Sequence, residues 1–220
     1  MKTAACLFLF LCLISLTGCF EIVEQVFLKA DGSGDLQLVL NLSKSRTRLN
    51  SIMKMKTING HDVPSKEDIK YRIAEIEKTV AKTPGICAVK TSVDFDNFIA
   101  SINCNFKNVA SLNNAVKNIY LKEEAGKKAP EKIYEYNAGV FERLNKYSFR
   151  EDYKKLSNAD KEIFATANYT AIFKFENSVT AASNKETRIA PSKKAVMLKL
   201  NTLDVINEKK SIENKITLSN

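Results

Sequence analysis

The chain is poor in the residues that most often give a function away. Among 220 residues it has one histidine, His61, no tryptophan, seven glycines and four prolines. So little glycine and proline excludes collagen-like and low-complexity architectures, and long flexible linkers with them. A Ser-His-Asp or Cys-His catalytic arrangement would have to be built around the single imidazole. His61 lies between Gly60 and Asp62 in a polar stretch and reads as a solvated loop histidine. Gly-x-Ser-x-Gly, His-Glu-x-x-His and the phosphate-cradling Gly-x-x-x-x-Gly-Lys are absent. Zinc needs three or four N, S or O ligands, and one histidine with two distant cysteines supplies no such set. No metal, no cofactor and no enzymatic activity are expected.

What remains is 45% hydrophobic and 27% charged, enough to bury roughly 70% of the unfolded surface in a genuine core. The length allows one domain or two small ones. The formal charge of +9 invites a nucleic-acid reading. However, the lysine doublets at Lys127-Lys128, Lys154-Lys155, Lys193-Lys194 and Lys209-Lys210 are scattered over loops and element ends. They read as a solvated surface, and no nucleic-acid partner is expected.

The N-terminus is an address. Lys2 supplies a positive start, and residues 4–16 are uncharged and apolar apart from Ser15. That run is short of the roughly twenty residues needed to span a bilayer and fits the apolar region of a secretory signal. It ends Leu16-Thr17-Gly18-Cys19, which resembles the lipobox of bacterial lipoproteins. The resemblance implies removal of residues 1–18, a diacylglyceryl group on the Cys19 thiol and a further acyl chain, typically palmitate, on its new amine. Several acyl chains, at about 0.8 kcal/mol per buried methylene, anchor firmly where one would be marginal. Phe20, not Asp, follows Cys19. By resemblance to the enterobacterial sorting rule, that directs a Gram-negative lipoprotein to the outer membrane, on its periplasmic side. Glu21 and Glu24 resemble the acidic export signals of surface lipoproteins in Bacteroidota, which would imply surface exposure.

The mature chain reads as α+β. Residues 21–29 and 36–42 are strands around the turn cluster Asp31-Gly-Ser-Gly-Asp35, with Leu36, Leu38, Leu40 and Leu42 on one face. As an EF-hand loop this cluster fails, because Leu36 and Leu42 occupy the positions that need glycine and a carboxylate. A short helix is expected over 44–55. A better one opens after Pro64 with Ser65 and Asp68 as a capping pair and Ile69, Ile73, Ile76 and Val80 as its apolar stripe. Strands at 86–94 and 98–106, a helix capped by Asn108 and strand-like pieces at 133–136 and 140–144 follow. From Leu36 this spells β-α-β-β-α-β, a ferredoxin-like order. The middle hairpin resembles that of heavy-metal-associated domains without their Cys-x-x-Cys. Residues 19–146 form this first part, behind an N-terminal hairpin. Residues 147–220 are expected to add a helix over 151–167, with a patchy face of Tyr153, Leu156, Ile163 and Phe164. An antiparallel C-terminal sheet from 169–175, 195–205 and 211–218 completes the second part, packed on the first. The whole order loosely resembles the LppM-type domain and uncharacterised lipoproteins of Bacteroidota.

With Cys6 and Cys12 in the leader, Cys87 and Cys104 are the mature thiols. A four-residue loop over 94–97 sets them directly opposite, within disulfide range, whereas a two-residue turn sets them diagonal and unbonded. Two small buried hydrophobes are the alternative.

The function expected is that of a lipid-anchored envelope protein. It would bind an envelope protein, lipid or polysaccharide without catalysis, or serve a structural role. The alternatives are a carrier or sensor of a small apolar ligand, which an aromatic-lined cavity would favour, and an envelope enzyme, which an enclosed carboxylate would favour. The address is testable by itself. Cys19→Ser should abolish processing and shift the protein from the membrane to the soluble fraction. Unchanged partitioning would refute acylation.

Overall fold

The computed structural model describes residues 20–58, 60–123, 129–145 and 148–219; the leader, the Leu16–Cys19 motif and Lys127-Lys128 lie outside them. Strand β1 (Glu21–Leu28) starts immediately and turns back into β2 (Gly34–Asn41). The turn closes on Asp31, whose Oδ1 accepts from the Ser33 backbone N–H at 2.9 Å and hydroxyl at 2.6 Å. The Asp31 carboxylate is thus spent within the hairpin. A side chain at Gly34 would put its Cβ 1.9 Å from the Phe27 carbonyl oxygen, so only glycine lets the strands close there.

After a 3-10 turn (Ser43–Ser45) come α1 (Arg46–Ile52) and the short ladder β3 (Thr57–Ile58) and β4 (His61–Asp62). Helix α2 (Lys66–Ala81) starts with the expected capping box: Ser65 Oγ accepts from the Asp68 N–H, and Asp68 accepts from the Ser65 N–H. Strands β5 (Ile86–Asp94) and β6 (Ile99–Phe106), helix α3 (Val109–Glu123), and the hairpin β7 (Tyr134–Asn137) and β8 (Val140–Arg143) complete the first part. The second contains α4 (Arg150–Lys155), α5 (Asn158–Glu162), β9 (Asn168–Phe175), β10 (Val179–Ala182), β11 (Arg188–Ile189), β12 (Ala195–Asn201), α6 (Thr202–Ile206) and β13 (Asn214–Leu218). Among the described residues no helix is long and apolar enough to cross a membrane.

Two sheets carry the fold. One has the order β11-β12-β9-β1-β2-β6-β5, and the other β10-β13-β8-β7. All neighbours are antiparallel except β1 and β9, which run parallel in unbroken register from Glu21/Asn168 to Leu28/Phe175. Between the sheets Phe141 packs edge-on to Phe173 and Phe175 at 5.2 and 5.7 Å and stacks on Tyr134 at 5.9 Å. Helices α2 and α3 cover the β5–β6 end.

The α+β class holds, but four details of the expected layout are corrected. The order β2-β6-β5 with α2 crossing over is the split β-α-β half of a ferredoxin-like unit. The strand that flanks β2 on its other side is β1, however, not β7, so the β-α-β-β-α-β core does not close. β7 is drawn into the second sheet by α3. There, buried Asn113 accepts from the Ile133 and Tyr134 N–H groups and donates to the Tyr134 carbonyl. The C-terminal strands likewise form no separate antiparallel layer: β9, β12 and β11 extend the first sheet beside β1, and β13 and β10 join β7 and β8. The helix expected over 151–167 breaks after α4, because Leu156 is extended and Ser157 caps a new helix by accepting from the Asp160 N–H. The strand over 195–205 stops at Asn201, whose side chain accepts from the Leu203 N–H and starts α6.

Cys87 and Cys104 are free thiols and do not oppose one another. Asp94 pairs with Ile99, the loop is 95–98, and a bulge between Cys87 and Lys90, with Ala88 at φ 51°, sets Cys87 against Asn105. The bulge leaves Cys87 exposed and Cys104 buried. Burial pushes the Cys104 thiol up to about 11. The folded mature protein should therefore give one rapid reaction with a thiol reagent near neutral pH, at Cys87. Cys104 should react only on unfolding, and a disulfide-linked mass without reduction would contradict this geometry.

Candidate functional site

Alternation along β1 places Ile22, Glu24, Val26 and Leu28 on the inner face of the large sheet, so a carboxylate stands among core aliphatics. Glu24 is only 4% exposed. Arg143, the last residue of β8, meets it from the second sheet: Nε lies 2.9 Å from Oε1 and Nη2 lies 3.1 Å from Oε2. Its Nη1 donates to the Leu144 carbonyl at 2.6 Å, and the guanidinium lies 5.2 Å from the Tyr134 ring centre. The Tyr169 hydroxyl donates to Glu24 Oε2 at 2.7 Å. Burial, reinforced by the Glu24 charge, raises the Tyr134 and Tyr169 hydroxyls well above the ordinary tyrosine range. Burial alone would lower Arg143, but the Glu24 carboxylate outweighs it and raises it. All three groups hold their protonated forms. The carboxylate is enclosed, yet fully committed to an arginine fork and a hydroxyl.

Tyr169 links this cluster to a recess. Its hydroxyl is turned to Glu24, and the residue lines a cavity of about 350 Å³. Phe20 and Ile22 contribute from the start of the chain, and Phe149, Asp152, Tyr153 and Leu156 from α4 and its approach. Phe164 closes one side, and Thr202, Val205 and Ile206 of α6, with Ile212, close another. The Asn168 N–H donates to the Phe20 carbonyl at 3.0 Å and fixes Phe20 at the entry to β1. The Phe164 ring packs edge-on against both Phe20 and Tyr153, at 5.6 Å each. Asp152 is the only charged residue in the wall among the described residues and sits 3.4 Å from Lys155. Thr202 also carries a buried hydroxyl with no hydrogen-bond partner among the described residues. Cavities of roughly 300–1,000 Å³ lined mainly by apolar and aromatic side chains with few polar groups are the usual form of a small-ligand site.

Two other recesses differ in kind. One of about 430 Å³ at the β11–β12 edge is walled by Lys185, Glu186, Arg188 and Lys199; Glu186 is paired to Lys210 and Lys199 to Glu21. It is a charged surface groove. A smaller apolar one, about 140 Å³, lies between Ile73 and Ile76 of α2 and Leu38, Leu40 and Ile102 of the sheet. Because Leu40 is the strand partner of Ile22, it adjoins the aromatic recess on the same sheet face.

The residues singled out from sequence are only partly brought together. Tyr153, Leu156 and Phe164 of the patchy helix do meet in the aromatic recess, while Ile163 lies outside its wall and is 40% exposed. His61 has a 74% exposed side chain, 4.0 Å from Asp160, and is not among the residues that line the cavity. In the fold Glu24 is a buried ion-pair partner, whereas Glu21 is half-buried and accepts from Thr170 and Lys199. Lys154 and Lys155 bridge to Glu151 and Asp152 one helical turn away, and so form no basic face. The Glu24–Arg143 pair escaped the sequence reading. Its one signal was a charged residue at an inward position of an alternating strand.

No family model matches the chain, and no curated protein matches its sequence. Among solved structures it is similar to the folded domain of Mycobacterium tuberculosis LppM, determined by NMR, at 15% identity and a TM-score of 0.40 over 93% of each chain. A likeness this distant carries no information about ligand or site.

The ion pair generates its own prediction. Arg143→Met leaves Glu24 buried and uncompensated, and should cost about 3–5 kcal/mol in urea unfolding. Replacing Glu24 by Leu in the same chain should restore most of that loss. A single variant as stable as the parent would show that the pair does not join the sheets.

Proposed function

We propose that this is a lipid-anchored protein of the cell envelope, on the outer membrane where the host is Gram-negative. In this reading it acts without catalysis and holds an apolar ligand, the acyl chain of an amphiphile, in the recess beneath α4 and α6. The observation that carries the reading is the aromatic cavity of about 350 Å³ whose wall includes Phe20, the residue next to Cys19. An aromatic cavity is what separates a carrier from a flat partner-binding surface, so the carrier reading now leads. The committed state of Glu24 supports a role without acid–base chemistry.

The test is displacement of a fluorescent fatty-acid analogue from the mature chain by unlabelled long-chain fatty acid. Saturable, competable binding is expected. Leu156→Asp and Phe164→Asp should each weaken it by at least about tenfold, the equivalent of one buried apolar side chain. Absence of competition, or variants that bind as well as the parent, would overturn the assignment.

A further inference from the structure

The parallel register of β1 and β9 gathers several chain ends at one pole of the molecule. The start of β1 at Glu21, the start of β9 at Asn168 and the end of β12 at Asn201 are strand neighbours. The recess and the α4–α5 segment therefore sit at the pole where Cys19 enters. No tether separates them, because Phe20 already lines the recess and β1 begins at Glu21. An extended residue reaches at most about 3.6 Å, so acyl chains on Cys19 hold this pole against the bilayer surface. The opposite end of β1 stands about 23 Å away, seven steps of about 3.3 Å along the eight-residue strand.

At the anchored pole two large apolar side chains stand in the open. Phe149, at the rim of the recess, is 53% exposed, and Ile163, just past α5, is 40% exposed. The charges between them cancel: Arg150, Lys154, Lys155 and Lys161 against Glu151, Asp152, Asp160 and Glu162. Several are already bridged, Lys154 to Glu151 and Lys155 to Asp152. A segment without net charge gains little from anionic headgroups, which act through unpaired cations. What it can gain comes from moving apolar side chains out of water.

We propose that the α4–α5 segment is a membrane-docking surface. In the acylated protein Phe149 and Ile163 insert into the leaflet that holds Cys19, and the recess opens against the acyl region of that leaflet. The proposal rests on the acyl anchor at Cys19, and its occupant is the bilayer itself. Lysine stems bordering the insertion can lie along the interface with their ammonium groups in water.

The absence of tryptophan makes the test direct, since a single introduced tryptophan reports alone. The acylated chain is reconstituted in phosphatidylcholine vesicles containing brominated acyl chains. Phe149→Trp and Ile163→Trp should show blue-shifted emission and at least about threefold stronger quenching than Lys29→Trp at the opposite pole, as interfacial burial of a few ångströms requires. Salt should change this little. If the acylated chain joins the vesicles while both polar-end reporters emit as in water, docking is overturned and the anchor stands. If the chain with Cys19 intact fails to join vesicles, anchor and docking fall together. Quenching by monomeric brominated fatty acid but not by brominated bilayers overturns docking and leaves the ligand-binding recess in place.

Discussion

The Glu24–Arg143 pair is the constraint on which the rest of the structure depends. Each sheet contributes one charge, and neither is accessible to water to any useful degree. Removing two charges from water costs several kcal/mol per ion, and the pair offsets this only with good geometry and its remaining valences filled. Here the fork, the Leu144 carbonyl and the Tyr169 hydroxyl fill them. Such a pair adds little net stability compared with a well-packed aliphatic core, but it discriminates sharply between registers. A one-residue slip of β1 would turn Glu24 to the outer face and Ile22, Val26 and Leu28 with it. Arg143 would then be buried alone. The pair therefore fixes β1 against β2 and β9 at once, and fixes β8 above them.

That register sets the geometry of the recess. Tyr169 lies on β9 opposite Ile22, so the pairing that buries Glu24 also places Ile22 and Tyr169 side by side in the cavity wall. The polar end of Tyr169 is absorbed by the ion pair, and the rest of the residue is left to line the cavity. An aromatic residue whose hydroxyl is already partnered can present apolar surface without leaving a buried donor unsatisfied. Structure and candidate function meet in this one side chain.

Local features were well legible in the sequence, and long-range ones were not. The Ser65/Asp68 box, the stripe of α2, the turn at Asp31 and the Asn108 cap depend on neighbours within a few residues. Each forms as its local chemistry dictates. The parallel pairing of β1 with β9 joins residues some 147 positions apart in chain order, as Glu21 and Asn168 show, and no local pattern announces it. Missing that pairing turns one mixed sheet into two separate layers. It also hides the recess, because Tyr153, Leu156 and Phe164 then lack Phe20, Tyr169 and Val205 to close on. The structural role of Glu24 was hidden for a related reason: nothing near it in the sequence points to its partner on β8. The disulfide geometry of Cys87 and Cys104 turned on the turn frame, 95–98 with Asp94 paired to Ile99, and on the bulge between Cys87 and Lys90, neither of which alternation alone reveals.

The absence of a tether after Cys19 gains physical meaning once the fold is known. A flexible linker would let the body tumble beside the membrane and leave an apolar recess facing water much of the time, with the desolvation benefit of its walls unrealised. Starting β1 at Glu21 removes that freedom and, with the anchor proposed at Cys19, would keep Phe20, Phe164 and Tyr169 at the membrane-facing end. For a protein that exchanges an acyl chain with the leaflet, this is the favourable arrangement, because the chain would pass from one apolar environment to another without crossing water. The cost of exposing a methylene, about 0.8 kcal/mol each, multiplies over a long chain into a barrier that a distant or randomly oriented recess could not avoid. With the anchor proposed at Cys19, the short N-terminal connection, the parallel β1–β9 register and the buried ion pair would thus act on one quantity, the orientation of the recess relative to the bilayer.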